Sequence, residues 1–318
     1  MSTLKAGIIG CGGIAGHHLE GFRKAGVAVA AVADVNEPAA SAFAKTIPGA
    51  DVFSSVRELI DQGGVQVVSV CSPPASHEDA VVYGLQQGVH VLCEKPLATT
   101  VESARRMEEA AAGTGALLMP GFRHRFLPAV LRMRELVSEI GPPVWFHNTF
   151  CGPAFEMKEK WHSKREISGG GVLTDTSSHS IDLFRFVAGE IVEQHAVVHR
   201  HFDGTDTEDA GILTVKAENG TLGMFSAAWV AGVGTAGIEV MGRNGSLAYD
   251  YTQPALLRVR RKGEDKVEAI AVEPSAGFIE EVAHLIGAIE GKWELSCTAK
   301  DGRRAVEVLA GVYGEAGR

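Results

Sequence analysis

A glycine turn, Gly10-Cys11-Gly12-Gly13-Ile14-Ala15, constrains this chain more than any other stretch. It follows directly on Ala6-Gly7-Ile8-Ile9, an apolar run with the composition of a buried parallel strand. The pattern is G-x-G-x-x-A, the dinucleotide fingerprint with its permitted alanine ending. Gly10 allows the tight turn, Gly12 lets a pyrophosphate approach the backbone, and Ala15 is small enough for helix to pack on strand. The following helix offers N–H donors and a positive dipole end to phosphates. A helical pattern then ends at Gly26, and a second apolar run, Val27 to Ala33, leads into Asp34. This acid stands 24 residues beyond Gly10, close to the ~20 expected of a ribose-binding carboxylate. Val35 and Asn36 follow it, with no Arg or Lys, and an anion here repels a 2′-phosphate. NAD is therefore expected in preference to NADP.

Strand and helix signals keep alternating. Ser55-Val56-Arg57-Glu58 is a capping box, Val65 to Cys71 an apolar strand, and Ser72-Pro73-Pro74 breaks it. Ser76 caps a helix through Gln87, Val89 to Cys93 is the next strand, Thr99 caps a helix, and Ala116 to Met119 closes the series. About six strands interleaved with helices predict a doubly wound parallel sheet over residues 1–121, a Rossmann dinucleotide-binding domain. In such a sheet ligands sit at the carboxyl ends of strands. Gly10, Asp34, Ser72 and Glu94-Lys95-Pro96 all fall at such ends. Lys95, between a buried strand and a proline, is placed for proton transfer beside a nicotinamide ring; it also reads as a lysine that only holds ribose or phosphate.

A second glycine run, Gly169-Gly170-Gly171, leads into Val172-Leu173-Thr174-Asp175-Thr176-Ser177-Ser178-His179-Ser180-Ile181-Asp182. If this part is helical, Asp175, His179 and Asp182 share one face. A carboxylate one turn from an imidazole can fix its tautomer and leave the other nitrogen as a general base. The same spacing also fits a helix cap and a buried histidine.

Composition excludes several classes. The charge is −9 with no basic block, so nucleic acid is not an expected partner. No apolar run reaches membrane-spanning length. Met1-Ser2-Thr3-Leu4-Lys5 runs into the first strand without a signal-peptide pattern. The five cysteines lack zinc or redox spacing, which fits a reducing cytoplasm, and no metal site is expected among the scattered histidines.

With these residues assembled, the sequence resembles the Gfo/Idh/MocA oxidoreductases over nearly its whole length. The resemblance is carried by Gly10 to Ala15, Ala33-Asp34-Val35-Asn36, Ser72-Pro73-Pro74-Ala75-Ser76-His77 and Glu94-Lys95-Pro96. It continues through Arg125-Phe126-Leu127-Pro128, Trp161, Gly169-Gly170-Gly171, Asp175-x-x-x-His179-x-x-Asp182 and Thr298-Ala299-Lys300-Asp301-Gly302. It implies that Lys95 assists proton transfer and holds the nicotinamide ribose. It further implies that His179 takes a proton from a substrate hydroxyl, that Asp175 binds substrate and orients His179, and that Glu94 contacts the cofactor. Fingerprint and resemblance together give Gly10, Gly12, Gly13, Ile14, Asp34, Ser72, Pro73, His77, Glu94 and Lys95 as cofactor contacts. Ser177 departs from the family, where glycine is common, and is expected to intrude on the substrate pocket or add a hydroxyl to it.

Residues 122–318 are expected to form an α+β substrate domain, an open antiparallel sheet with helices on one face. Arg125, Trp161 and His162 are candidate substrate contacts, Arg125 reading equally as an ion-pair partner. Asn219-Gly220 and Asn244-Gly245 are type I′ hairpin signals. Phe225, Trp229, Ile238 and Val240 are apolar sheet residues that need a cover, which suggests a homodimer or homotetramer through that face. The expected function is NAD-dependent oxidation of a secondary alcohol on a sugar, cyclitol or related polyol. An NAD-dependent glycosidase working by transient oxidation, or a non-catalytic NAD-responsive regulator, are the alternatives.

Overall fold

A computed structural model describes residues 4–316; Met1, Ser2 and Thr3 of the expected lead-in lie outside the described residues. Two compact units emerge. One holds the chain up to Arg123 together with Phe278–Val306, and the other holds His124–Gly277 with the residues from Glu307 onward. The expected division into 1–121 and 122–318 is therefore corrected: a late segment returns to the first unit. The packing explains why. A Cβ on Gly21 would come within 2.6 Å of Val282, so only glycine lets these two helices approach this closely.

The first unit carries six parallel strands, β1 (Lys5–Ile9), β2 (Ala28–Ala33), β3 (Asp51–Phe53), β4 (Val67–Val70), β5 (His90–Glu94) and β6 (Leu118–Gly121). Their order, β3-β2-β1-β4-β5-β6, reverses between β1 and β4, the crevice where doubly wound sheets bind dinucleotides. Around it run α1 (Ala15–Lys24), α2 (Glu37–Ala44), α3 (Val56–Gln62), α4 (His77–Gln86) and α5 (Val101–Ala112). Ser55 caps α3 by accepting the Glu58 N–H at 3.2 Å, as its sequence predicts. For α5 the cap is Thr100, one residue later than expected, accepting the Ser103 N–H at 3.1 Å. Apolar residues on β4 and β5 are fully buried, in keeping with a sheet covered on both faces.

The second unit is built on eight strands. They are β7 (Pro143–Pro153), β8 (Ile191–His199), β9 (Ala210–Ala217), β10 (Leu222–Ala228), β11 (Val230–Gly242), β12 (Gly245–Asp250), β13 (Leu256–Arg261) and β14 (Glu268–Ala271). The order is β14-β13-β12-β11-β7-β10-β9-β8, antiparallel except where β10 runs parallel to β7. Helices α6 (Pro128–Leu136), α7 (Arg165–Ser168) and α8 (Ser178–Val187) belong to this unit. Helix α9 (Phe278–Ile289) lies in the first unit, and α10 (Ala299–Ala316) contributes to both.

Both Asn-Gly hairpins form, but neither turn is type I′, because no residue other than glycine has positive φ among those described. At the first, Gly220 alone takes the left-handed conformation, φ +87°, and Thr221 N–H donates to Asn219 Oδ1 at 3.0 Å. The apolar residues expected to need an outside cover are corrected too. Phe225, Trp229, Ile238 and Val240 are buried within the chain, with Phe184 of α8 meeting Phe225 edge-on at 5.8 Å. The opposite face of the sheet is the uncovered one.

Candidate active site

In the first unit the glycine turn has the shape its sequence predicts. Gly10 has φ +89°, and a Cβ there would lie 2.6 Å from the Ser72 nitrogen, so side chains are excluded twice over. Gly12 and Gly13 differ: a Cβ on either meets nothing within 4 Å, so the space above the turn is open. Ile14 is half-buried and precedes α1, whose first turn holds no acidic residue and whose last holds Arg23 and Lys24. The helix therefore presents an uncompensated positive end to that space, and the turn fits a pyrophosphate.

Asp34 is fixed by backbone. Its Oδ2 accepts the Cys11 N–H at 2.7 Å and its Oδ1 the Asn36 N–H at 2.8 Å. This joins the ends of β1 and β2 and leaves each oxygen a lone pair for a ribose hydroxyl. Burial, with Asp34 beside it, pushes the Cys11 thiol up to about 12, so it stays protonated. Asp34→Asn is expected to narrow the preference for NAD over NADP by about tenfold, since it removes the like-charge repulsion of a 2′-phosphate. The ratio of kcat/KM values for the two nucleotides measures this, and an unchanged ratio would assign Asp34 a purely structural role.

Ser72 and Pro73 are half-buried at the end of β4, where the Ser76 hydroxyl donates to Ser72 Oγ at 2.8 Å. His77 corrects an expectation. It is fully buried, with Nε2 2.7 Å from the Ser72 carbonyl and Nδ1 3.1 Å from that of Pro96. It ties two loops together from behind and has no surface to offer a cofactor. Burial pushes its pKa down.

Glu94 is likewise turned inward. Its Oε1 pairs with His18 Nε2 at 2.9 Å, and its Oε2 accepts the Lys95 N–H at 3.1 Å. Burial alone would raise this carboxyl; the hydrogen bond from His18, with Lys95 close by, outweighs that and holds it below the usual range. Lys95 itself is half-exposed at the end of β5, before a cis bond to Pro96.

In the second unit the segment after the glycines opens not as an α-helix but as a π-turn, Leu173–Ser177, before α8. Such wide turns often mark functional sites. Asp175 lies within that wider turn, with Oδ1 3.8 Å from His162 Nε2 and Oδ2 accepting the Thr176 hydroxyl at 3.4 Å. Trp161 stacks on His162 at 3.6 Å, so these two and Asp175 form one group. His179 is buried, its ring stacked on His124 at 4.3 Å and 12°. His124 Nδ1 lies 2.9 Å from the Tyr251 hydroxyl.

Arg125 departs from its expected role as a substrate contact. It is 4% exposed, and Nε and Nη2 both reach the Asp182 carboxylate in a bidentate pair, with Phe186 packed on the guanidinium. Ser177 departs as well: it is fully buried, out of reach of any ligand, and its Oγ has no hydrogen-bond partner among the described residues.

Sequence reasoning missed the groups that hold the π-turn. Glu208 Oε1 accepts the N–H groups of Gly171 at 3.0 Å and Leu173 at 3.1 Å, and the Tyr313 hydroxyl at 2.7 Å. Burial first, then Glu208, pushes the Tyr313 phenol well above its usual range, so it remains a donor. The glycines are needed for this close fit. A Cβ on Gly170 would sit 2.1 Å from Thr174 Oγ1, and one on Gly171 would sit 1.8 Å from the Glu208 carbonyl oxygen. Glu208 and Tyr313 lie far along the chain from the turn, so no local pattern announces them.

Comparison with known proteins defines the class. Residues 4–122 match the domain described as oxidoreductase family, NAD-binding Rossmann fold, and residues 130–248 match the GFO/IDH/MocA C-terminal domain. The chain belongs to the Gfo/Idh/MocA oxidoreductase family, and its first unit is an NAD-binding Rossmann domain. Among its relatives, inositol 2-dehydrogenase 2 of Saccharopolyspora erythraea is 33% identical over 82% of this chain and 77% of its own. The 1,5-anhydro-D-fructose reductase of Ensifer adhaerens is 29% identical over 93% and 91%. A levoglucosan dehydrogenase structure with NADH superimposes at TM-score 0.93, covering 99% of this chain and 97% of that one at 22% identity, a likeness of fold.

Proposed function

We propose that this protein is an NAD-dependent dehydrogenase that oxidises a secondary alcohol of a cyclitol, sugar or anhydro-sugar. The observation that carries the reading is the π-turn: helical geometry widens over Leu173–Ser177, where Asp175 stands just before His179, and the wide turn is held by Glu208 and Tyr313. The relatives named for inositol and anhydro-fructose chemistry support the substrate class.

When bound, NAD supplies an electrophilic nicotinamide that accepts the carbinol hydrogen with its electron pair. The chain's own residues do the rest. The glycine turn and α1 hold the pyrophosphate, and Asp34 takes the adenosine ribose hydroxyls. His179 removes the hydroxyl proton as the carbonyl forms, and Lys95 assists that transfer through its ammonium while steadying the nicotinamide ribose. Asp175 and His162 bind substrate hydroxyls, and Trp161 offers an apolar face to a ring. General-base catalysis of this kind is worth about 10²–10⁴-fold.

A panel of cyclitols, sugars and anhydro-sugars, assayed with purified protein for NADH fluorescence, tests the reading. NADH should accumulate with at least one. Cleavage of glycosides with no net NADH would assign the glycosidase chemistry instead.

Self-association through the uncovered sheet face belongs to the same proposal. Val197, Ile212, Leu222 and Met241 point outward there, Val197 at 77% exposure, and no segment of the chain covers them among the described residues. An uncovered face carrying several apolar side chains suits an isologous partner. Sedimentation at working concentration should give a dimer or tetramer, and a monomer would contradict it. Cytoplasmic residence is proposed on the five free thiols. No helix is long and apolar enough to cross a membrane among the described residues.

A further inference from the structure

We infer that His18 is a positioning residue for Lys95, acting through Glu94. The inference rests on the assignment of Lys95 to proton transfer. His18 lies on α1, the helix whose first turn faces the phosphates, yet its ring is fully buried and points across the sheet. Nδ1 meets Ser69 Oγ on β4 at 2.9 Å, and Nε2 meets Glu94 Oε1 at the end of β5 at 2.9 Å. The other Glu94 oxygen holds the Lys95 N–H at 3.1 Å. A ring that donates from Nε2 to Glu94 accepts the Ser69 hydroxyl at Nδ1, so each donor in the series has an acceptor. Ser69 and His18 are excluded from solvent and Glu94 nearly so, which makes these bonds stronger and their loss costlier than at a surface.

Core packing alone does not need this arrangement. An apolar ring fills the same space, and Phe278 already packs on His18 with centroids 5.9 Å apart. What the imidazole adds is a fixed carboxylate immediately before the lysine. Both Glu94 oxygens are thereby engaged, one by the His18 ring and one by the Lys95 N–H, and the backbone of Lys95 is pinned relative to the helix that holds the phosphates. Misplacement of a reacting group by about 1 Å can cost 10²-fold in rate.

The test uses His18→Phe, which keeps the ring, and His18→Gln, whose amide N–H can still reach Glu94. His18→Phe should lower kcat at least about tenfold while KM for NAD changes less than about threefold; His18→Gln should keep kcat within about threefold. Combined with Lys95→Ala, His18→Phe should add no further loss. Equal activities for the two His18 variants, or losses that multiply in the double variant, would overturn the inference. A near-normal Lys95→Ala would instead remove the reading beneath it. If His18→Phe does not fold, Glu94→Gln serves: its amide must donate to His18 Nε2 while its oxygen takes the Lys95 N–H. The ring proton should then move to Nδ1, seen by nitrogen NMR shifts, with kcat lowered. An unmoved proton or an unaltered kcat would overturn the inference.

Discussion

Replacing either Lys95 or His179 with alanine is expected to lower kcat by at least about two orders of magnitude while NAD still binds. The reason is chemical. A neutral secondary alcohol gives up its carbinol hydrogen readily only as its hydroxyl proton leaves, and these are the two groups assigned to that proton. Most NAD contacts are assigned to other residues, the glycine turn and Asp34, whose bonds do not involve either side chain, so losing the Lys95 contact to the nicotinamide ribose should weaken NAD binding without abolishing it. Steady-state kinetics with NAD titrated by fluorescence separates the effects. Near-normal turnover in either variant would remove that residue from the mechanism. Because proton-transfer groups act as a unit, the double variant should lose little beyond the worse single one.

Gly171→Ala should be the most destabilising single methyl in the second unit, by about 3 kcal/mol or more. The added carbon would lie 1.8 Å from the Glu208 carbonyl oxygen and 2.7 Å from its nitrogen, both backbone atoms that cannot swing aside. Relief requires moving the glycine run away from Glu208, which breaks the bonds that start the π-turn. Activity should fall with stability, since Asp175 rides on that turn. Gly204→Ala is the control of a glycine without neighbours, its cost being only the left-handed backbone, φ +76°. A denaturation midpoint for Gly171→Ala no lower than that of the control would show that the close approach is not needed.

How much of this was legible in the sequence follows from the range of the forces involved. Five of the six Rossmann strands are readable because their βα units carry their own punctuation, an apolar run, a turn residue, a cap; β3, three residues long and largely exposed, carries no such run. Gly10 and Asp34 were readable for the same reason, since backbone geometry demands their residue types at their positions. The second unit was less so. Its hairpins were found at Asn219-Gly220 and Asn244-Gly245, but the turn type depends on strand twist and loop length, and the asparagines kept negative φ. The return of α9 to the first unit could not be seen, because it depends on Gly21 meeting Val282 across more than half the chain.

At the site, residue identity was easier to read than residue partnership. Asp175 and His179 were singled out by α-helical spacing, yet the chain opens there as a π-turn, stabilised by a carboxylate and a phenol supplied from Glu208 and Tyr313. Arg125 and His77 carried the right chemistry for ligands, but both are buried and spent on the fold, on Asp182 and on loop carbonyls respectively. Burial decides between a side chain that holds a ligand and one that holds its neighbours, and a lone sequence does not carry burial for polar residues.

The central claim is that a carbinol hydrogen passes directly to the nicotinamide while the chain handles only the proton. A cyclitol or anhydro-sugar substrate deuterated at its reacting carbon, turned over in ordinary water, tests it most directly. Mass spectrometry should find one deuterium in the reduced nucleotide, with turnover slowed by the label in a preparation whose chemistry limits the rate. Deuterium released to water, with the nucleotide unlabelled, would contradict the account.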